Sequence, residues 1–252
     1  MGWFEDMTDI CSNCGTELRG RWCYACGQDS RSPLIGFFSL IGRTVSEFFS
    51  LDAKLPRSVA TAVIPGRLPR RYLQGHRVSY ITPVRFAVSA SILLFTLIAL
   101  LPGSIEPPSV ETGVASDVRY IARQGAGLVS LGLVLIPPIF AGLMAIVFID
   151  KKRHFVEYLT IALYYHAALC LTLGVVSLIV STNFREVAVA ISLLLIVWML
   201  GPYIVLMLRR CLNISWLRLA LTAPLLSVFY AVAVIAVFGA SAGYLSRVAA
   251  LN

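Results

Sequence analysis

Cys11-Ser-Asn-Cys14-Gly15 and Cys23-Tyr-Ala-Cys26-Gly27 repeat one pattern, with eight residues between the two cysteine pairs. The two residues inside each pair let both sulfur atoms reach one ion, and the glycine permits a tight turn behind them. A redox-active pair or a set of unrelated thiols is the alternative interpretation. The pattern favours one structural Zn²⁺ bound by Cys11, Cys14, Cys23 and Cys26.

The charge around these cysteines argues against nucleic-acid binding and against catalysis. Residues 1–30 carry a net charge of −3, whereas residues 31–85 carry +7. A nucleic-acid-binding ribbon needs a basic face, and a catalytic zinc keeps one coordination position open, which four cysteines would close. We therefore expect a zinc ribbon that contacts an unidentified protein partner and no nucleic acid. We expect Trp22 and Tyr24 to pack over the metal site.

The rest of the chain is strongly apolar. Of 252 residues, 58% are hydrophobic and 13% are charged, whereas soluble domains carry about a quarter charged residues. Five apolar segments, each of about the 20 residues that a spanning helix needs, cover 84–101, 128–149, 155–180, 187–208 and 217–240. We predict an all-α membrane protein with about five transmembrane helices, preceded by the small zinc ribbon and by amphipathic helices.

Three regions follow from this pattern: a cytosolic zinc ribbon at 1–30, an amphipathic and basic juxtamembrane segment at 31–83, and a transmembrane bundle at 84–252. Apolar residues at helical spacing predict an amphipathic helix over 33–51, which either lies in the membrane interface or docks on the bundle. A second short helix is predicted over 53–64, with Asp52 as its N-cap and Pro65-Gly66 at its end.

Basic residues predict the orientation in the membrane. If the N terminus is cytosolic, 17 of the 21 Lys and Arg residues fall on the cytosolic side of five spans. Residues 1–10 lack the features of a signal peptide, and reduced cysteines also suit the cytosol. We predict a multi-pass protein of the bacterial inner membrane with its C terminus on the periplasmic or extracellular side. The arginines expected to contact lipid headgroups, or simply to set the topology, are Arg67, Arg70, Arg71 and Arg77.

The third apolar segment is the most polar, and it contains Glu157, Tyr164 and His166. An ionisable side chain in a bilayer is a candidate functional group, so these three form a candidate intramembrane polar site, although Glu157 and His166 fall on opposite helix faces. No nucleophile motif, phosphate loop or HExxH pattern is present. We expect a non-enzymatic protein. A small transporter or channel component, with these polar groups lining its path, is the alternative, and an intramembrane enzyme using His166 is a third hypothesis.

The cysteine pattern and the segment before the first apolar stretch resemble a bacterial family of polytopic membrane proteins of unknown function. The resemblance covers mainly residues 11–90 and implies an N-terminal zinc ribbon joined to several spans, but no reaction. The matching positions are Cys11, Cys14, Cys23, Cys26, Gly27, Gln28, Pro65, Gly66, Tyr72, Gly75, Arg77, Tyr80 and Pro83.

Overall fold

The regular structure of this chain is helical. A computed structural model describes residues 10–30, 54–100, 135–181 and 185–251. Within these ranges the only β pairing is two isolated bridges in the cysteine region, so the predicted all-α fold is confirmed. The helices are α1 (Lys54–Ala62), α2 (Arg67–Leu73), α3 (Pro83–Leu100), α4 (Leu135–Val147), α5 (Phe155–Val180), α6 (Arg185–Trp198), α7 (Ile204–Leu212) and α8 (Trp216–Leu251).

Three helical stretches are long and apolar enough to cross a membrane: Phe155–Val180, Val187–Leu212 and Trp216–Ala236. Pro83–Leu97 and Leu135–Val147 are shorter apolar helices. On one face of α8, Leu217, Leu221 and Leu225 are all more than half exposed. A soluble protein rarely leaves such a face uncovered. The chain therefore has the helices of a membrane protein.

The segment before the first apolar helix folds onto the bundle. Helix α1 confirms the predicted second short helix and ends before Pro65-Gly66, while Asp52 and the predicted helix over 33–51 lie outside the described residues. Gly66 has a positive φ of 72°, and a Cβ atom there would lie 2.9 Å from the Cα atom of Met207. Because this turn presses against the backbone of α7, any side chain at position 66 would force the two segments apart.

Helix α5 lies at the centre of the bundle. Every residue from 158 to 170 is buried, and α3 packs along α5. Two aromatic clusters surround it: one joins Tyr164 to Tyr72 and Phe86, and the other joins Tyr165 to Tyr230 and Phe140. Because residues 158–170 are covered on all sides, the polar groups in this part of the helix must find partners inside the protein.

Tyrosine hydroxyl groups satisfy backbone carbonyls at the places where helices are interrupted. Helices α6 and α7 are joined by a π-helical turn, Met199–Tyr203, which contains Pro202. Breaks of this kind free carbonyl groups that must be satisfied away from water. The four bonds are Tyr158 to Phe148 O (3.0 Å), Tyr164 to Ile81 O (2.7 Å), Tyr165 to Met199 O (3.2 Å) and Tyr203 to Ala62 O (2.7 Å).

The loops predicted to be cytosolic meet at one end of the bundle. Arg218 holds Asp150 through two 2.7 Å hydrogen bonds, which lower the pKa of that carboxyl group. Arg210 donates to the carbonyl of Pro65 at 2.6 Å, joining the end of α7 to the turn after α1. The basic segments that sequence analysis assigned to one side of the membrane therefore lie together in space.

Candidate metal centre

The two cysteine turns have the same backbone structure. In the first, Cys11 N–H donates to Thr16 O, and Gly15 N–H donates to Cys11 O, both at 2.8 Å. The second repeats these bonds from Cys23 to Gln28 (2.9 Å) and from Gly27 to Cys23 (2.8 Å). Gly15 and Gly27 both have positive φ, 77° and 73°, which glycine adopts readily. Each cysteine pair therefore sits on a turn that its own local sequence specifies.

The four sulfur atoms converge on one point. All lie within 4.8 Å of one another, with Cys11 Sγ 3.7 Å from Cys26 Sγ and Cys14 Sγ 3.5 Å from Cys23 Sγ. These separations are too long for disulfide bonds. A tetrahedral set of thiolates with metal–sulfur bonds of about 2.3 Å has edges of about 3.8 Å. The cluster therefore has the dimensions of a site that could hold one metal ion.

The protein surroundings shift the pKa values of the Cys14 and Cys26 thiols in opposite directions. The Thr16 hydroxyl, 3.2 Å from Cys14 Sγ, lowers the pKa of the Cys14 thiol to about 6. Burial raises the pKa of the Cys26 thiol to about 12. Four thiolate charges at such short range repel one another, and a cation at their centre removes that repulsion. The donor set thus suits a thiolate-binding metal ion.

Residues 10–30, which we call the cysteine module, dock on the loop between α2 and α3. The side chain of Gln28 is buried and makes the central contact. Its Nε2 atom donates to Gly75 O at 2.6 Å and to Ser12 Oγ at 2.9 Å, and its Oε1 atom accepts from Arg77 N–H at 3.2 Å. One amide side chain thus joins the cysteine module to the α2–α3 loop, residues 74–82.

The first cysteine turn also touches this loop. Ser79 Oγ donates to Asn13 Oδ1 at 2.9 Å. Gly75 has a φ of 102°, and a Cβ atom there would lie 2.5 Å from Ser12 Oγ and 2.8 Å from Ser12 Cβ. The close approach of module and loop therefore depends on glycine at position 75.

Trp22 and Tyr24 do not cover the metal centre, so that expectation is wrong. Their side chains are 54% and 68% exposed, and Arg21 and Arg19 lie over the two rings. The module is too small to bury them, because its buried side is already occupied by the contact with the α2–α3 loop. The aromatic side chains form an outer face instead.

The four predicted headgroup arginines lie in different places. Arg71 donates to Tyr80 Oη at 2.6 Å, and Arg77 lies over the ring of Tyr72. Arg67 and Arg70 are both exposed, and Arg70 also lines a cavity at the end of the bundle. Two of the four thus take part in packing around the α2–α3 loop.

Glu157, Tyr164 and His166 are not brought together. Glu157 pairs with Arg153 at the start of α5, and Tyr164 donates to Ile81 O. His166 is buried, with Nδ1 2.6 Å from Tyr230 Oη and Nε2 3.2 Å from Ser91 Oγ. The three side chains occupy three separate hydrogen-bonded positions.

Sequence reasoning missed the contacts that hold the module in place. Gln28 and Gly75 are both positions of the family resemblance, yet their 2.6 Å hydrogen bond joins residues 47 positions apart. A glutamine directly after a Cys-x-x-Cys-Gly turn was the available signal. Nothing in the sequence around Gly75 indicated that its carbonyl is the partner of Gln28.

Residues 52–95 match the model of a family described as a protein of unknown function, DUF3667. The match covers α1, α2, the α2–α3 loop and most of α3, which is the region that receives the cysteine module. No curated protein and no solved structure matches the chain.

Proposed function

We propose that this chain is an integral protein of the bacterial inner membrane in which a structural zinc ribbon on the cytosolic side acts as an assembly and partner-binding module. Four thiolates at tetrahedral spacing suit Zn²⁺ better than harder ions such as Mg²⁺ or Ca²⁺. A site closed by four cysteines stabilises structure rather than binding a substrate. The closed set therefore gives the ion a structural role and no catalytic one.

The observation that carries the assembly role is the buried Gln28 side chain. It connects the cysteine module to the α2–α3 loop, and that loop is in turn tied to the bundle. Ile81 N–H donates to Ser58 Oγ at 3.1 Å, and Ile81 O accepts from Tyr164 at 2.7 Å. The α2–α3 loop is therefore hydrogen-bonded to the cysteine module at Gly75, Arg77 and Val78 and to α5 at Ile81, so it connects the metal-binding turns to the central helix.

Metal removal tests this role in the intact protein. We expect a zinc chelator to accelerate hydrogen exchange of the Arg77 and Val78 amides, because both groups face Gln28 Oε1. The Gln28→Ala variant should show the same acceleration with its metal still bound. Exchange in α5 serves as the internal control. Unchanged exchange at Arg77 and Val78 after chelation would overturn the assembly role.

The exposed face of the module supports the partner-binding role. Trp22 and Tyr24 present aromatic rings outward, each with an arginine stacked on it, and such residues are enriched where proteins bind one another. A photo-crosslinking residue at Tyr24 should yield a single protein adduct in cells. Glu17, exposed on the same module, is the matched control position. Equal adducts from both positions would contradict a specific partner face.

The predicted orientation has its own test. Alkaline phosphatase fused after Asn252 should be active, because we place the C terminus outside the cytosol. If the phosphatase fusion is inactive and a cytosolic reporter fused at the same position is active, the C terminus is cytosolic and the predicted orientation is wrong.

The contacts in α5 favour packing over a transport path. Tyr164 and His166 both bond to groups of the protein itself. Under this proposal Tyr164→Phe leaves solute permeability unchanged while weakening the bundle. A correctly inserted His166→Ala variant that loses a solute flux would favour the transporter hypothesis instead.

A further inference from the structure

A cavity of about 680 Å³ opens at the basic end of the bundle, between α2, the start of α5 and the end of α7. Four arginines line it: Arg70, Arg153, Arg209 and Arg210. Among the described residues of its wall, Glu157 alone is acidic. The lining therefore carries a net charge of +3.

Neutral groups hold two of these four arginines in position. Arg210 donates to Pro65 O at 2.6 Å, and the Arg209 guanidinium lies 3.9 Å from the centre of the Trp216 ring. Arg70 forms no ion pair with a described residue, whereas Arg153 pairs with Glu157. Among the described residues, no acidic side chain therefore pairs with Arg70, Arg209 or Arg210, and each guanidinium has five N–H donors.

The negative ends of nearby helix dipoles do not neutralise this positive charge. Arg70 lies in the last turn of α2, and Arg209 and Arg210 lie in the last turn of α7. A helix C-terminus offers roughly half a negative charge. Two such ends leave most of the net +3 uncompensated, so the cavity attracts a further anion.

We propose that this cavity binds an anion bearing a phosphate group. Guanidinium groups bind phosphate oxygens through paired hydrogen bonds, and three separate chain segments supply them here. The volume falls within the range of small-molecule sites, about 300–1,000 Å³, and exceeds what one phosphate fills. The ligand is therefore a phosphate ester, presented by a lipid headgroup or by a soluble molecule. This inference goes beyond the metal-dependent role and does not rest on it.

Two probes distinguish the sources of the phosphate group. The full-length protein is placed in nanodiscs of phosphatidylcholine, and inositol hexakisphosphate binding is measured by calorimetry. In a second arm, nanodiscs containing phosphatidylglycerol are analysed by native mass spectrometry for retained lipid. Binding of the first probe alone assigns a soluble ligand, and retention of the second alone assigns a lipid. Binding of neither overturns the proposal.

Arginine-to-glutamine substitutions inside and outside the cavity test where the probe binds. Arg70→Gln and Arg209→Gln should each weaken binding about tenfold, the loss expected for a charge-assisted contact. Arg67→Gln removes the same charge from the same helix as Arg70 but lies outside the cavity, so it should change binding less than twofold. Equal losses in Arg67→Gln and Arg70→Gln would mean that general surface charge attracts the probe, and would overturn the proposal.

A gain of affinity excludes misfolding as the explanation. Glu157→Gln keeps an oxygen that can accept the His154 N–H, while the net charge of the lining rises. We expect this variant to bind whichever of the two probes the unmodified protein binds, several-fold more tightly. A loss of affinity in Glu157→Gln would contradict the proposal, since the carboxylate would then belong to the ligand site.

Discussion

The two cysteine turns have the same backbone conformation but differ in what surrounds them. In the first turn, the two residues between the cysteines, Ser12 and Asn13, contact Gly75 and Ser79 of the α2–α3 loop. In the second turn Tyr24, which corresponds to Ser12, is exposed, and Gln28, the residue after the glycine, contacts the loop instead. The first turn has Thr16 at the position of Gln28, and Thr16 contacts Cys14 of the same turn.

This difference separates metal binding from docking. The backbone bonds and glycine conformations that converge the sulfurs are repeated in both turns, so they depend on local sequence. The contacts with the α2–α3 loop are not repeated and depend on single side chains. We therefore expect some substitutions to affect both turns equally and others to affect only one.

The largest effect should come from the cysteines. Because one ion would join both turns, Cys11→Ser and Cys23→Ser should each abolish metal binding, measured as zinc per chain by mass spectrometry. Metal binding in small zinc modules supplies roughly 10 kcal/mol or more of folding free energy, so both variants should unfold residues 10–30. Cys211→Ser, a buried cysteine outside the cluster, is the control. Half the metal remaining would show that the turns bind separate ions.

Gly75→Ala should have the next largest effect, on docking alone. The positive φ and the 2.5 Å approach to Ser12 Oγ together predict that the free energy needed to open the contact between the cysteine module and the α2–α3 loop falls by about 2–4 kcal/mol. Hydrogen exchange at Arg77 and Val78 measures this loss. Adding Ser12→Gly removes the clashing atoms but not the backbone strain, so it should restore only part of the loss. Full restoration would show that φ at position 75 costs nothing.

Gln28→Ala and Thr16→Ala compare the same position in the two turns. Gln28→Ala leaves the buried Gly75 carbonyl without its 2.6 Å donor, which costs about 1–3 kcal/mol. Thr16→Ala should leave exchange at Arg77 and Val78 unchanged. Both variants should keep one zinc per chain. Equal effects of the two substitutions on exchange would erase the distinction between the turns.

The smallest effect should lie in the bundle. Tyr203→Phe removes the hydroxyl that donates to Ala62 O at 2.7 Å, and we expect a loss of about 1 kcal/mol. Unfolding in a detergent titration measures it, with metal content as the control that should not change. Metal loss from Tyr203→Phe would mean that bundle and module are coupled more tightly than their contacts indicate.

Local patterns predicted the elements of this protein well. The helix over 54–62, the turn at Pro65-Gly66 and the apolar helices follow from hydrophobic spacing and from proline and glycine, which act within a few residues. Tyr164 was harder to interpret. The sequence placed it in a candidate intramembrane polar site, whereas its hydroxyl satisfies a carbonyl at a helix break, as do the hydroxyls of Tyr158, Tyr165 and Tyr203.

By itself the sequence determined the paired cysteine turns, the apolar helices and the concentration of arginine before and between them. Each of these depends on spacing over one or two turns of chain. Only the tertiary structure showed that Gln28 contacts Gly75, that Tyr203 contacts Ala62, and that four arginines surround one cavity. Those partners lie 47 and 141 positions apart in the two hydrogen bonds. Contacts over such distances are decided by how the helices pack, because neither residue carries a local signal of the other.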